Sequence, residues 1–210
     1  MAKTKEVKKL DISTEEKIKE AARVVFHKKG YAATRTRDIA EEAGINLALL
    51  NYYFRSKEKL FNIIMTETLS GFVQKMFVIL NNEKTTLDKK VELVAANYID
   101  LLLEEPEVPV FILSEVRNNP AILIERLPVK QIITHSVFFK QHQKAVADGK
   151  IKEPNPLHFL MNLIGLIVFP FVASPMLKII GNMQDQDFHQ YMQERKTLIP
   201  KWIKAMMKAS

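Results

Sequence analysis

Apolar residues recur along the chain with a helical period nearly everywhere. Ile18, Ala21, Ala22, Val25 and Phe26 fall at i, i+3, i+4, i+7 and i+8, one face of a helix. Ser13-Thr14-Glu15-Glu16 is a capping box that starts this helix at Ser13, and Gly30 closes it after Lys28 and Lys29. Two short amphipathic segments follow. Ile39, Ala40 and Ala43 share one face of the first, with Thr34 or Thr36 as its N-cap. Leu49 and Leu50 face inward on the second, with Tyr53 at its end. Gly44 and Ile45 stand between them, a tight turn with an apolar wedge. Ser56 caps a fourth helix that continues to Leu80.

Beyond a polar break at 81–86, a helix from Leu87 to Glu104 carries Val91, Leu93, Val94, Tyr98, Leu101 and Leu102 and stops before Pro106. Shorter pieces are predicted over 110–117 and 121–127, and a longer helix over 129–147. The pieces flanking Pro120 and Pro128 are expected to bend and line a pocket. Residues 154–177 carry no formal charge. Asp187 caps a last helix whose apolar stripe holds Phe188, Tyr191, Met192, Leu198, Ile199, Trp202, Ile203 and Met206. No apolar/polar alternation of strand length occurs, so the chain is expected to be all-α: a three-helix domain running into a larger helical one.

Charge sharpens this picture. The net charge is +7, and residues 1–60 hold 14 Lys/Arg against 9 Asp/Glu, while residues 61–210 hold 17 against 15. The excess lies with the helix pair, as a phosphate-binding surface requires. A solvated basic surface would have the same composition. There is no cysteine, which excludes disulfides, zinc–thiolate sites and thiol nucleophiles and fits a reducing, cytoplasmic location. Residues 1–12 are expected to be a flexible basic arm, without the apolar core of a secretory signal.

A short helix presented over a tight turn fits a DNA major groove, although an ordinary αα-hairpin uses the same turn chemistry. The outward positions of the second helix are Asn46, Leu47, Ala48, Asn51 and Tyr52. Lys57, on the first turn of the fourth helix, projects toward where a phosphate would lie. The order capped helix, Lys28-Lys29-Gly30-Tyr31, then Thr34, Arg37-Asp38-Ile39-Ala40, Ala43-Gly44-Ile45, then Asn51-Tyr52-Tyr53-Phe54, Ser56-Lys57-Glu58 and Leu60-Phe61 resembles the N-terminal domain of the TetR family of transcriptional regulators.

The resemblance covers residues 13–64 and implies a helix-turn-helix over 34–53, a DNA-binding domain over 13–56 and an effector-binding and dimerisation domain over 57–210. It implies that Thr36 and Arg37 touch phosphate or base edges, that Leu47, Ala48 and Asn51 face bases, and that Tyr52, Tyr53 and Lys57 hold the DNA backbone. Leu47 stands where many members have a polar or basic residue and Leu49 where they have Ser or Thr; Leu47 and Ala48 offer methyl contacts to thymine, which shifts weight to Arg37 and Asn51.

The implied function is a sequence-specific repressor released by a small molecule, acting as a homodimer on a palindromic operator. A constitutive DNA-binding or interaction protein without an effector is the alternative. The apolar C-terminal segments predict a dimer interface through Leu157, Leu160, Met161, Ile164, Ile199, Trp202, Ile203 and Met206. Met161, Phe169 and Phe171 suit either an apolar or amphipathic effector or plain core. Residues 154–177 are long enough for a membrane span, but Pro170, Pro175, Asn162 and His158 argue for a buried interface helix instead, so no membrane is expected. The histidines lack metal-site spacing and no serine sits in a nucleophile elbow, so neither metal, cofactor nor enzymatic activity is expected.

Overall fold

The computed structural model describes residues 2–118, 120–121 and 135–208, with side chains from Thr14 onward. The described residues form helices and connecting turns, and the chain divides into two compact units. The expected element at 121–127 and the residues 129–134 fall almost wholly outside the described residues.

Unit 1 comprises the chain up to Gly71 together with Val110–Pro120. It contains α1 (Ala2–Ala33), α2 (Thr36–Glu42), α3 (Leu47–Tyr53), the first part of α4 (Lys57–Asn81) and most of α6 (Val108–Asn118). The capping box does not start α1, which runs from Ala2 through Ser13, since Lys, Glu, Val and Leu upstream extend a helix without a breaker. Residues 2–12 are therefore helical rather than an irregular arm. Gly30 does break the helix, at φ 70°, ψ 174°, a conformation that favours glycine.

The expected apolar faces meet in the unit 1 core, where Ile18, Ala22, Phe26, Ile39, Leu50, Leu60 and Ile64 are almost fully buried. Phe61 joins α4 to both flanking helices, with Phe26 edge-on at 5.0 Å and Phe111 at 5.5 Å between ring centroids. His27 sits in the same layer, 3.2 Å from Thr68 Oγ1 and with its ring 4.6 Å from that of Phe111.

Unit 2 comprises residues 72–109 and 121–210. Its central helix is α5 (Leu87–Glu104), which packs against α7 (Val137–Ala147), α8 (Pro156–Val172) and α10 (Asp185–Lys208). Val91, Ala95, Ile99, Leu102, Ile167, Ile199 and Ile203 form the middle of this core. α7 starts at Val137 because the Ser136 hydroxyl accepts from Phe139 N at 3.2 Å. Asn155 caps α8 through Leu157 N at 2.9 Å, with Pro156 in the first turn. The uncharged stretch is not one span: α8 and α9 (Ser174–Ile180) are bent by 71° at a break. Among the described residues α4 alone is a single helix with the length and apolar content to cross a membrane, yet Leu60, Phe61, Ile64, Met65, Leu69 and Met76 are buried in the protein. α10 starts at Asp185, and Asp187 is its third residue rather than its cap, accepting back from Gln184 N at 2.8 Å.

Lys90 is a fully buried cation of unit 2. Its ammonium donates to the carbonyls of Asn82 and Thr85 and to the Thr85 hydroxyl, which satisfies all three protons and fixes the turn before α5. Lys90→Met should cost about 1–3 kcal/mol in urea unfolding, because it removes the three hydrogen bonds that hold the turn before α5. Lys89→Met, which removes only an exposed pair with Glu92, should change stability by less than about 0.5 kcal/mol. Equal effects would remove this role from Lys90.

Unit 1 contains a pH-dependent contact. Burial, with Arg23 adding to it, pushes the His27 pKa from 6.5 to about 4. Between those values the unfolded chain binds a proton that the folded chain does not. The contribution is therefore whole above about 6.5 and is lost as pH falls toward about 4. Thermal melts from pH 7 to 4.5 should fall less steeply for His27→Gln than for the parent, and parallel curves would refute the assignment.

Candidate nucleic-acid interface

The α2–α3 turn is built by local hydrogen bonds. Ala43 N donates to Ile39 O at 2.9 Å, Gly44 N to Glu41 O at 3.0 Å and Ile45 N to Ala40 O at 3.0 Å. Gly44 takes φ 63°, which permits the reversal. Arg35, rather than either threonine, occupies the N-cap position of α2, and Asp38 Oδ2 accepts from its N–H at 2.9 Å. That bond, and then Lys29 at 3.1 Å, hold the Asp38 carboxyl below its ordinary pKa. Thr34 is buried, and its hydroxyl donates to Gly30 O at 2.7 Å, closing α1 instead. Asn46 caps α3, its Oδ1 accepting from Leu49 N at 2.8 Å.

This scaffold leaves an outward face. Arg37, Asn46, Ala48, Asn51 and Tyr52 are exposed, Tyr52 at 76%. Thr36, Leu47 and Tyr53 are half-buried, and the Tyr52 and Tyr53 rings meet edge-on at 5.4 Å. Leu50 is buried, while Leu49 is only half so. Two exposed arginines were not singled out from the sequence: Arg35 just before α2 and Arg55 between α3 and α4. Their only signal is their position flanking the helix pair.

Lys57 is engaged differently from its expected phosphate role. Its ammonium donates to Tyr31 O at 2.9 Å and Thr34 O at 3.0 Å and lies 4.1 Å from the Tyr31 ring centroid. Two of its three protons thus hold the segment after Gly30 to the start of α4.

The residues expected at a dimer interface separate in unit 2. Leu157 and Met161 on α8 and Trp202 and Met206 on α10 are exposed. Ile199 and Ile203 are not available to a partner: they are at 0% and 1% exposure, packed in the chain's own core. Leu160 and Ile164 instead line an apolar cavity of about 200 Å³ beside the second part of α4. Phe72, Met76, Phe138 and Phe159 also line it, whereas Met161, Phe169 and Phe171 do not. A more open groove of about 620 Å³ holds four lysines and two aspartates. Lys204 pairs there with Asp88 at 2.6 Å, and Lys144 and Lys150 with Asp148 at 3.4 and 3.2 Å.

A solvent-facing helix over a glycine turn, in an all-α chain whose basic excess lies in the same segment, defines the class of helix-turn-helix DNA-binding regulators. Residues 18–64 match the model of the bacterial regulatory proteins of the tetR family. The helix-turn-helix domain belongs to the TetR family, and the protein is a DNA-binding transcriptional regulator. YttP of Bacillus subtilis, named a probable HTH-type transcriptional regulator, is 23% identical over 209 residues, spanning 95% of this chain and 96% of that protein. The fold is shared with the hemolysin II transcriptional regulator HlyIIR, at a TM-score of 0.64 and 18% identity over 94% of this chain and 98% of that one. It is shared also with FadR from Bacillus subtilis in complex with stearoyl-CoA, at a TM-score of 0.60 and 18% identity over 91% and 98%.

Lys57→Met should lower the thermal stability of the protein and weaken binding to every duplex alike, since it frees two helix ends. Asn51→Ala should leave stability within about 0.5 kcal/mol and relax preference at one base position by about 1–3 kcal/mol. Melting curves and binding to a randomised duplex pool separate the two. Weaker DNA binding by Lys57→Met at unchanged melting temperature would mean that the ammonium acts on phosphate alone.

Proposed function

We propose that this regulator is a homodimeric repressor that leaves its operator when a small apolar or amphipathic effector enters the unit 2 cavity. The observation that carries this reading is α4: one continuous helix begins at Lys57, next to the DNA-facing pair, and lines the cavity with Phe72, Val73, Met76 and Leu80. α4 is thus the helix through which a ligand in unit 2 would act on unit 1. The complex of FadR with stearoyl-CoA supports an effector site in this fold.

In this reading Arg37 and Asn51 hydrogen-bond base edges, and Leu47 and Ala48 pack on thymine methyls. Thr36, Tyr52 and Tyr53 hold phosphates, and Asn46 fixes the entry of α3. The dimer forms through the exposed side chains Leu157 and Met161 of α8 and Trp202 and Met206 of α10. A two-fold dimer then sets its recognition helices about 34–36 Å apart, in successive major grooves of a palindromic site.

Two measurements test the proposal. Met161→Asp combined with Trp202→Asp should halve the mass in light scattering while leaving the helical signal intact, and an unchanged mass would move the interface elsewhere. A copurified molecule found by native mass spectrometry should bind less tightly in the presence of operator, by about the same factor, roughly 5–150-fold, by which it weakens DNA binding. Equal ligand affinity with and without operator would favour the constitutive DNA-binding alternative.

A further inference from the structure

Two features of unit 2 belong together. Among the described residues the cavity beside α4 is lined by apolar side chains, among them Phe138 and Phe139 of α7 and Phe159 of α8. One turn beyond Phe138 on α7 stands His142, fully buried, and neither of its ring nitrogens has a hydrogen-bond partner among the described residues. Its ring centroid is 6.0 Å from that of Phe159, and Phe159 in turn stands 5.0 Å from Phe138. A buried imidazole with both nitrogens unpaired is costly, and a leucine there would pack without that cost. Phe159 is the ring shared by the cavity wall and the histidine.

Size limits what enters. An apolar protein cavity of about 150 Å³ takes a benzene ring, so the volume here suits roughly eight carbons. Resting on the reading of this cavity as the effector site, we propose that its ligand is a hydrocarbon chain of about eight carbons with a neutral hydrogen-bonding end. His142 receives that end once the Phe159 ring turns aside. Rotamer changes of this kind are common on binding. A neutral imidazole offers one donor and one acceptor, which a hydroxyl complements. Burial pushes the His142 pKa down, in keeping with a neutral ring and a neutral partner.

The test uses the purified full chain and straight-chain primary alcohols of increasing length, followed by calorimetry, with operator release read in parallel. Affinity should rise about fourfold per methylene up to about eight carbons and gain nothing further toward sixteen. His142→Leu should bind 1-octanol at least about tenfold more weakly while binding 1-chlorooctane unchanged, and His142→Gln should keep most of the octanol affinity. Leu160→Trp, which plugs the cavity from its half-exposed rim, should abolish binding of both. Affinity that keeps rising to sixteen carbons, octanol affinity indifferent to His142→Leu, or binding that survives Leu160→Trp would each overturn the proposal. An eight-carbon optimum without operator release would uphold the ligand class and remove the regulatory reading instead.

Discussion

The contact on which the DNA-binding end depends is the ammonium of Lys57 between the carbonyls of Tyr31 and Thr34. Helix ends leave backbone carbonyls without partners. After Gly30 the chain turns sharply, and the carbonyls in that turn need a donor from elsewhere. Lys57 supplies it from 26 and 23 residues away, while Thr34 reaches back to Gly30 O. The same lysine opens α4. The end of α1 and the start of α4 are thus tied at one charged group, and α2 and α3 lie in the chain between them. A cation here is stabilised by carbonyl dipoles and the Tyr31 ring together.

That arrangement explains why such short helices suffice for α2 and α3. Each helix is only seven residues long, below the length at which isolated helices persist. Their order comes from burial of Ile39, Ala40, Ala43 and Leu50, and from caps at both starts. With folding supplied by the inward face, the outward face is left free of the core. It carries an arginine, two asparagines, a tyrosine and an alanine, none of them buried in the core.

The helix pair was legible in the sequence because its determinants are local: Gly44 for the reversal, Ala40 and Ala43 for close approach, and a helical period on each side. The all-α class was legible for the same reason. What was not legible depends on distant partners. The capping box at Ser13 has the right spacing, yet α1 runs through it, since nothing upstream stops a helix. The stripe on α10 was read correctly as apolar, but periodicity does not say which neighbour covers it. Ile199 and Ile203 face α5 and the rest of the chain's own core, while Trp202 and Met206 are exposed. Lys57 looked like a phosphate ligand because a lysine's reach to a carbonyl more than 20 residues back leaves no local trace.

Unit 2 shows the converse of unit 1. In unit 1 every singled-out buried polar group has a partner: Thr34 on Gly30, and His27 beside Thr68. In unit 2 Lys90 follows the same rule and is fully satisfied. His142 does not, and it lies next to a wall of the cavity rather than in the centre of the α5 packing. Departures from complete polar satisfaction in a native fold concentrate where function is kept. The helices around α5 bury Val91, Ala95, Ile99, Leu102, Ile199 and Ile203, and that burial offsets the cost of an imidazole with no partner among the described residues. Met76, Val94, Phe138, Phe159 and Leu163 belong both to that core and to the cavity wall, so a change in the lining is felt by the fold as well as by whatever the cavity receives.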